Sequence, residues 1–226
     1  MSERVLVVIP AFNAERTVGG IVRACREVLD DVVVIDDGSI DRTAAEALDS
    51  GARVISHEAN RGKGAALKTG FGFAMQHGYD AVITLDADGQ HLPREIPKFL
   101  TARAETRADL IIGGRAHLFD QMLPRRRLAN RFSAWSIARC SKTNVTDSQS
   151  GFRLYSSGLL LKVRLRSDGF ALESEVIVRA GCDGFKVITI PIELGFVDGL
   201  STSHYKPVAD SLRIFWTVTR ARFFRR

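Results

Sequence analysis

Residues 81–90 run Ala81-Val82-Ile83-Thr84-Leu85-Asp86-Ala87-Asp88-Gly89-Gln90, a short apolar stretch that ends abruptly in two carboxylates. The stretch does not alternate, so a strand made from it has both faces covered, as in a parallel sheet. Similar runs stand at residues 5–9, 32–35, 53–55 and 110–112. Between the first two, Val18, Ile21, Val22, Cys25, Val28 and Leu29 repeat at helical spacing, and Leu67, Phe71 and Ala74/Met75 do so after the third. Strands separated by helices predict an α/β fold with a mostly parallel central sheet and helices on both faces. Ligands of such sheets collect beyond the carboxyl ends of the strands, where Asp86 and Asp88 stand.

The second half is less regular. Residues 123–140 predict a basic amphipathic helix with Leu128, Phe132, Trp135 and Ile137/Ala138 on its apolar side. Residues 186–192 predict another strand. Residues 207–224 predict a last helix, with Leu212, Phe215/Trp216, Val218 and Phe223 set against arginines. With no internal repeat and no linker rich in Pro, Gly and Ser, a single domain over residues 1–226 is expected.

The formal charge of +6 is unevenly placed. Residues 121–146 hold Arg125, Arg126, Arg127, Arg131, Arg139 and Lys142 without an acid, and residues 211–226 hold Arg213, Arg220, Arg222, Arg225 and Arg226, again without one. The rest of the chain is therefore net acidic, and phosphate-bearing partners are expected at the basic segments. Cys25, Cys140 and Cys182 are scattered and odd in number, which fits buried apolar residues in a reducing compartment. The first apolar run is too short for a signal peptide, and no run approaches the roughly 18–20 apolar residues of a membrane span. A soluble or peripheral protein is expected.

Several segments carry chemistry. In extended chain Asp86, Asp88 and Gln90 point to one side, and close like charges call for a cation between them. A hard divalent ion held by oxygen ligands answers that need, and a solvated turn before Leu92-Pro93 is the plainer alternative. Asp36-Asp37-Gly38-Ser39-Ile40-Asp41 ends the second strand. Ser39 or Asp41 can cap the next helix, which leaves the paired carboxylates free for a base or ribose. Asn60-Arg61-Gly62-Lys63-Gly64 opens a helix and is either a plain turn or a phosphate-neutralising helix start. Residues 147–153, Asp-Ser-Gln-Ser-Gly-Phe-Arg, gather polar groups around a glycine. Glu173 and Glu175 read alone as a solvated helical face, and His204 as a surface residue.

Taken in order, residues 8–13, 34–41, 60–71, 85–91, 113–115, 147–155, 170–175 and 203–210 resemble glycosyltransferase family 2, and its dolichyl- and polyprenyl-phosphate sugar transferases most closely. The resemblance spans nearly the whole chain and implies the GT-A fold, Rossmann-like, with a nucleotide-sugar-binding half at 1–115 and an acceptor-binding half with the C-terminal helix at 116–226. It implies that Pro10, Phe12, Asn13, Glu15 and Asp37 line the nucleoside site, with Lys63 near it. Asp86, Asp88 and Gln90 would hold Mg2+ or Mn2+ against the donor diphosphate. Gln149, Ser150 and Arg153 would shape the sugar pocket, and His204 and Lys206 would close on the diphosphate. Arg115 with Arg126, Arg127, Asn130 and Arg131 would face the acceptor phosphate. Asp88, Arg115, Arg153 and Glu175 are the catalytic candidates. Ala14 departs from the family by replacing the first of two acids, which puts base contacts there in doubt. Val197 and Asp198 stand where an arginine is common.

The implied reaction is inverting transfer of a sugar from a nucleotide-diphosphate sugar to a polyprenyl phosphate. A phosphate acceptor, with a second pKa of about 6, needs no general base at neutral pH. A glycan or small-molecule hydroxyl acceptor is the alternative and does need one, Glu175 first and Glu173 second. The basic segments fit an anionic membrane surface at the cytoplasmic inner face, with a separate membrane-anchor partner in place of the transmembrane helices of many relatives. A pI near 9.5 raises nucleic-acid binding as a further class, but no recognised module is present, and the strand-end carboxylates repel a polyanion.

Overall fold

A computed structural model describes residues 3–115, 137, 139, 141, 143, 145, 147–167, 169 and 171–195. The expected basic helix at 123–140, for the most part, and the expected helix at 207–224 lie outside the described residues. The apolar runs become β1 (Val5–Ala11), β2 (Val32–Asp36), β3 (Arg53–Ser56), β4 (Ala81–Thr84) and β5 (Leu110–Gly114). Helices α1 (Val18–Arg26), α2 (Thr43–Asp49), α3 (Lys63–Gln76) and α4 (Ile96–Thr106) lie between them. Strand β6 (Arg153–Ser156), helices α5 (Ser157–Lys162) and α6 (Ala171–Cys182), and β7 (Val187–Pro191) follow.

The seven strands form one sheet in the order β3-β2-β1-β4-β6-β5-β7. All pairings are parallel except those of β6, which runs against both β4 and β5. The chain steps outward from β1 to β2 and β3, then returns through α3 to place β4 on the other side of β1. That reversal is the switch point at which open α/β sheets bind ligands. Because β6 is reversed, its start lies at the carboxyl edge of its neighbours, with Arg153 paired to Thr84 of β4. The polar segment 147–152 is thereby delivered to the ends of β4 and β5.

Both faces of the sheet are covered, as the apolar strands require. On one face Leu6 and Val8 of β1 pack with Leu67 and Phe71 of α3 and with Leu172 and Val176 of α6. On the other, Val5, Val7 and Ile9 pack with Val18 and Val22 of α1 and with Ile96 and Phe99 of α4. Each such fully buried side chain contributes about 1.5–3 kcal/mol by leaving water. Among the described residues no helix is long and apolar enough to cross a membrane.

Helix α3 sits closest to the sheet where Gly70 lies on Val8, and a Cβ there would clash with Val8 Cγ1. Two residues on, Gly72 is exposed and a Cβ would meet nothing. Gly70→Ala is expected to destabilise the fold by about 1–3 kcal/mol through overpacking. Gly72→Ala is expected to stabilise it by about 0.5–1 kcal/mol, since only helix propensity changes. Urea unfolding midpoints of the two variants check both signs.

Candidate active site

Lys63, the first residue of α3, carries the site's central contact. Its Nζ lies 2.6 Å from Asp86 Oδ1, just beyond β4, and 3.2 Å from Glu173 Oε1 on α6. Gly151 forms the floor beneath this group, because a Cβ there would stand 2.6 Å from Asp86 Oδ2 and 2.8 Å from Lys63 Nζ. Thr84 secures that floor by donating to Gly151 O at 2.8 Å. Burial works against both charges, but the pairing outweighs it. The Asp86 carboxyl is lowered to about 2 by Lys63, and the Lys63 ammonium is held above its ordinary range by Asp86 and Glu173. The Asp86 N–H donates to His91 Nδ1 at 3.1 Å, which fixes the His91 proton on Nε2. Burial also lowers the His91 pKa, in keeping with a neutral ring.

The strand ends at Thr84, and residues 87–89 turn through Gly89 at φ +79°, so the extended spacing expected for Asp86 and Asp88 is not what aligns them. Asp88 is held by a turn instead. Asp88 Oδ1 accepts from Gln90 N at 2.9 Å, while Ala87 O accepts from the Thr17 hydroxyl and Gln90 O from Gly195 N. Both carboxylates then bear on Arg115 and His91. Arg115, just past β5, donates to Asp147 through Nε at 2.8 Å and Nη2 at 3.3 Å, and through its backbone N–H at 3.1 Å. Burial opposes the charge of each, yet the pairing raises Arg115 and lowers Asp147.

Arg153 has a different place from the one expected of a catalytic group. Its side chain is fully buried, and Nε, Nη1 and Nη2 donate to the carbonyls of Ser150, Glu173 and Ser148 at 2.7–2.8 Å. It ties the 147–152 segment to the first turn of α6. Ser150 is buried in that segment, and Gln149 is half-buried with its N–H on Asp147 Oδ1.

The glutamates divide just as sharply. On α6, residues two apart lie about 200° around the axis from one another, so they face nearly opposite ways. Glu173 faces Lys63. Glu175 Oε2 accepts from the N–H groups of Arg166 and Ser167, and Oε1 accepts from Arg179 Nε at 2.7 Å. Burial would raise the Glu175 pKa, but those donors hold it below the ordinary value. Glu175 is thus tied into the preceding loop, and Glu173 is the carboxylate at the site.

At the nucleoside end, Asp37 is 3% exposed and already well occupied. Its carboxylate accepts from Arg61 N, Gly62 N and His57 Nδ1, at 3.1, 2.7 and 2.6 Å. His57 Nε2 in turn shares a hydrogen bond with the Thr69 hydroxyl at 2.9 Å. Asp37 therefore fixes the backbone that leads into Lys63. Asn13 and Glu15, both exposed, cross-link loops, with Asn13 Oδ1 accepting from Ile40 N and Glu15 Oε2 from Arg42 N, both at 3.1 Å. Pro10 is buried in β1, and Phe12 stands 40% exposed at its tip. Sequence reasoning singled out none of His57, His91, Asp147 and Gly151 for a role. Arg126, Arg127, Asn130, Arg131, His204 and Lys206 lie outside the described residues.

Among the described residues no three His, Cys, Asp or Glu side chains converge on one point. The donor set at the turn is Asp86 and Asp88, hard oxygen ligands with Asp86 ionised down to about pH 2. Such a pair fits Mg2+ or Mn2+, which commonly bind through one or two carboxylates and complete their shell with phosphate and water. Gln90 reaches Asp88 through its backbone.

Asp86 is depressed in the folded state, so its ionisation stabilises the fold above the unfolded value near ~4 and ceases to do so as pH falls through about 2. In Lys63→Met the burial remains and the cation is gone. The Asp86 carboxyl is then expected to titrate well above about 2, as followed by its carbon-13 NMR shift against pH.

The sequence pattern of Glycosyl transferase family 2 matches residues 6–164. Polyprenol monophosphomannose synthase of Mycolicibacterium smegmatis is 32% identical over 211 residues, covering 84% of this chain and 77% of that protein. Undecaprenyl-phosphate mannosyltransferase of Micrococcus luteus is 29% identical over 205 residues, covering 84% of this chain and 82% of that protein. In fold, the chain superposes on glucosyl-3-phosphoglycerate synthase from Mycobacterium tuberculosis, solved with Mn2+, uridine diphosphate and phosphoglyceric acid. The TM-score is 0.73 at 20% identity, over 98% of this chain and 79% of that one. The pattern covers most of the residues from which the switch point and its carboxylates are built, and the chain belongs to glycosyl transferase family 2.

Proposed function

We propose that this protein transfers a sugar, with inversion, from a nucleotide-diphosphate sugar to a polyprenyl phosphate, using a divalent cation at Asp86 and Asp88. The observation that carries the reading is the sign of the site. Among the described residues Lys63 and Arg115 supply two positive charges, against the carboxylates of Asp86, Asp88, Glu173 and Asp147. A net negative site repels a diphosphate unless further positive charge arrives with it. Mg2+ or Mn2+ between the carboxylates and the diphosphate supplies that charge and stabilises the leaving group.

The acceptor phosphate oxygen attacks the anomeric carbon from the face opposite the diphosphate. The bond from that carbon to the diphosphate oxygen breaks, and the nucleoside diphosphate departs with the electron pair. Lys63 sits where charge builds on the departing group, and Phe12 and Asn13 lie at the strand tip where the nucleoside would rest. Arg115, held in plane by Asp147, directs its remaining N–H groups to phosphate, with Arg126, Arg127, Asn130 and Arg131 assigned to the acceptor and His204 and Lys206 to the diphosphate. Neither glutamate is well placed as a base, because Glu175 is engaged at both oxygens and Glu173 is paired with Lys63. That favours an acceptor already ionised at neutral pH. The names of the relatives, which include polyprenol and undecaprenyl-phosphate sugar transferases, support the same acceptor class. A polyprenyl acceptor places the reaction at a membrane surface. The arginine-rich segments suit the anionic inner face, alone or beside a separate anchoring partner.

A panel of labelled nucleotide sugars, incubated with a short polyprenyl phosphate with and without Mn2+, is expected to give a lipid-linked product with one donor and only with the ion. No lipid-linked product from any donor overturns the acceptor assignment. In that assay Glu175→Gln is expected to keep turnover per folded molecule within about threefold while losing about 1–3 kcal/mol of stability, because the change disturbs the N–H groups of Arg166 and Ser167 and the Arg179 guanidinium rather than the site. Loss of all turnover in folded Glu175→Gln would instead point to a hydroxyl acceptor with Glu175 as base.

A further inference from the structure

We infer that Lys63 is a built-in stand-in for the divalent cation, occupying Asp86 until ion and diphosphate arrive together, and then yielding that oxygen and resting on Glu173. The inference depends on the cation reading above, and it adds a competition within the chain that makes ion and donor bind cooperatively.

The geometry sets up the exchange. Lys63 Nζ lies between two carboxylates from different elements, nearer to Asp86 at 2.6 Å than to Glu173 at 3.2 Å. A shift of under an ångström reverses that preference without moving the backbone. The backbone is fixed, since Asp37 holds the N–H groups of Arg61 and Gly62 just before α3. Gly151 closes the floor, so the ammonium is not free to drop away beneath the aspartate. Glu173 is buried, and its carboxylate is the nearby place where the displaced charge is welcome.

The energetics give this arrangement a purpose. With no cation present, Asp86 is a partly buried carboxylate that needs a positive partner, and stripping a buried pair of one member is costly. Lys63 meets that need. An ion arriving alone must displace the ammonium and endure its repulsion at close range. Arriving with a diphosphate, it brings two or more negative charges that accept both the ion and the displaced lysine. Binding of the two is then positively coupled, and the coupling is reciprocal. The chain thereby disfavours loading of a bare ion before the donor.

Binding of Mn2+ to the whole chain, read from the paramagnetic resonance signal of the free ion, tests this without any turnover. For the wild-type protein, weak binding of Mn2+ alone and tighter binding with UDP or GDP are expected. Lys63→Met should bind Mn2+ alone about tenfold or more tightly, equivalent to about 1.4 kcal/mol, and gain less from the nucleotide. Arg115→Met removes a charge near the same carboxylates without vacating Asp86 Oδ1, and should tighten Mn2+ binding clearly less than Lys63→Met does. Glu173→Gln, which removes the resting place, should weaken it. Lys63→Gln repeats the measurement if the methionine variant melts at a lower temperature than the assay allows. Equal gains in the Lys63 and Arg115 variants, or no gain in either Lys63 variant, overturn the exchange while leaving the cation reading standing. No Mn2+ bound by the wild type with either nucleotide overturns both.

Discussion

An ammonium held between two carboxylates is the constraint around which this site is assembled. Asp86 comes from the end of the fourth strand, Glu173 from the sixth helix, and Lys63 from the first turn of the third. None of these groups is at ease where it lies. Each is half-buried or buried, and an unpaired charge there would cost several kcal/mol. Together they are tolerable, and the closeness that makes them tolerable depends on Gly151 having no side chain. The segment bearing that glycine is in turn positioned by Thr84 and by the buried guanidinium of Arg153. One ion-pair cluster therefore brings together two helices, a strand end and a loop that lie far apart in sequence.

Around it, charged side chains are spent largely on the main chain. Asp37 accepts from two backbone N–H groups, Glu175 from two more, and Arg153 donates to three carbonyls. Loops that carry a binding site cannot satisfy their backbone groups through regular ladders, and buried ones must find other partners. A charged side chain is a strong partner for such groups, worth more than a neutral one. The polar residues at the strand ends thus fall into two populations. Some face the open site, and others hold in place the backbone on which the first kind depends.

That division is also what sequence reasoning could not resolve. The strands were legible because unbroken apolar runs have few other uses, and the helices because their period is strong. Asp86 and Asp88 stand out in the sequence as paired carboxylates at a strand end, but the turn through Gly89 that carries Asp88 does not, because the spacing alone suggests an extended chain. Strand β6 is not legible in the sequence: at four residues, opening with arginine and closing with serine, it has no apolar signature beyond its two central side chains. The two glutamates are alike in composition, and what separates them is helical geometry, which turns residues two apart to nearly opposite faces. Composition does not reveal whether a charge meets a ligand or the backbone, so Arg153 and Asp37 read from sequence as substrate contacts, while in the fold Arg153 donates to carbonyls and Asp37 accepts from N–H groups. His57 and Asp147, partners of these charges, could be recognised only once the fold had brought distant segments together.

The distribution of charge ties these findings to the basic segments. The described site carries more carboxylates than cations, and the charge of Arg115 is already balanced by Asp147. Both proposed substrates are anions. Binding them at the switch point therefore calls for positive charge beyond that of the described residues. In the proposed reaction a divalent ion that comes and goes with the nucleotide would meet the need at the donor end. At the acceptor end the need falls on residues 121–146 and 211–226, where eleven basic residues stand without an acid. Seen this way, the acidic first half and the basic later segments are two parts of one electrostatic design, in which neither part alone holds both anions within bonding distance.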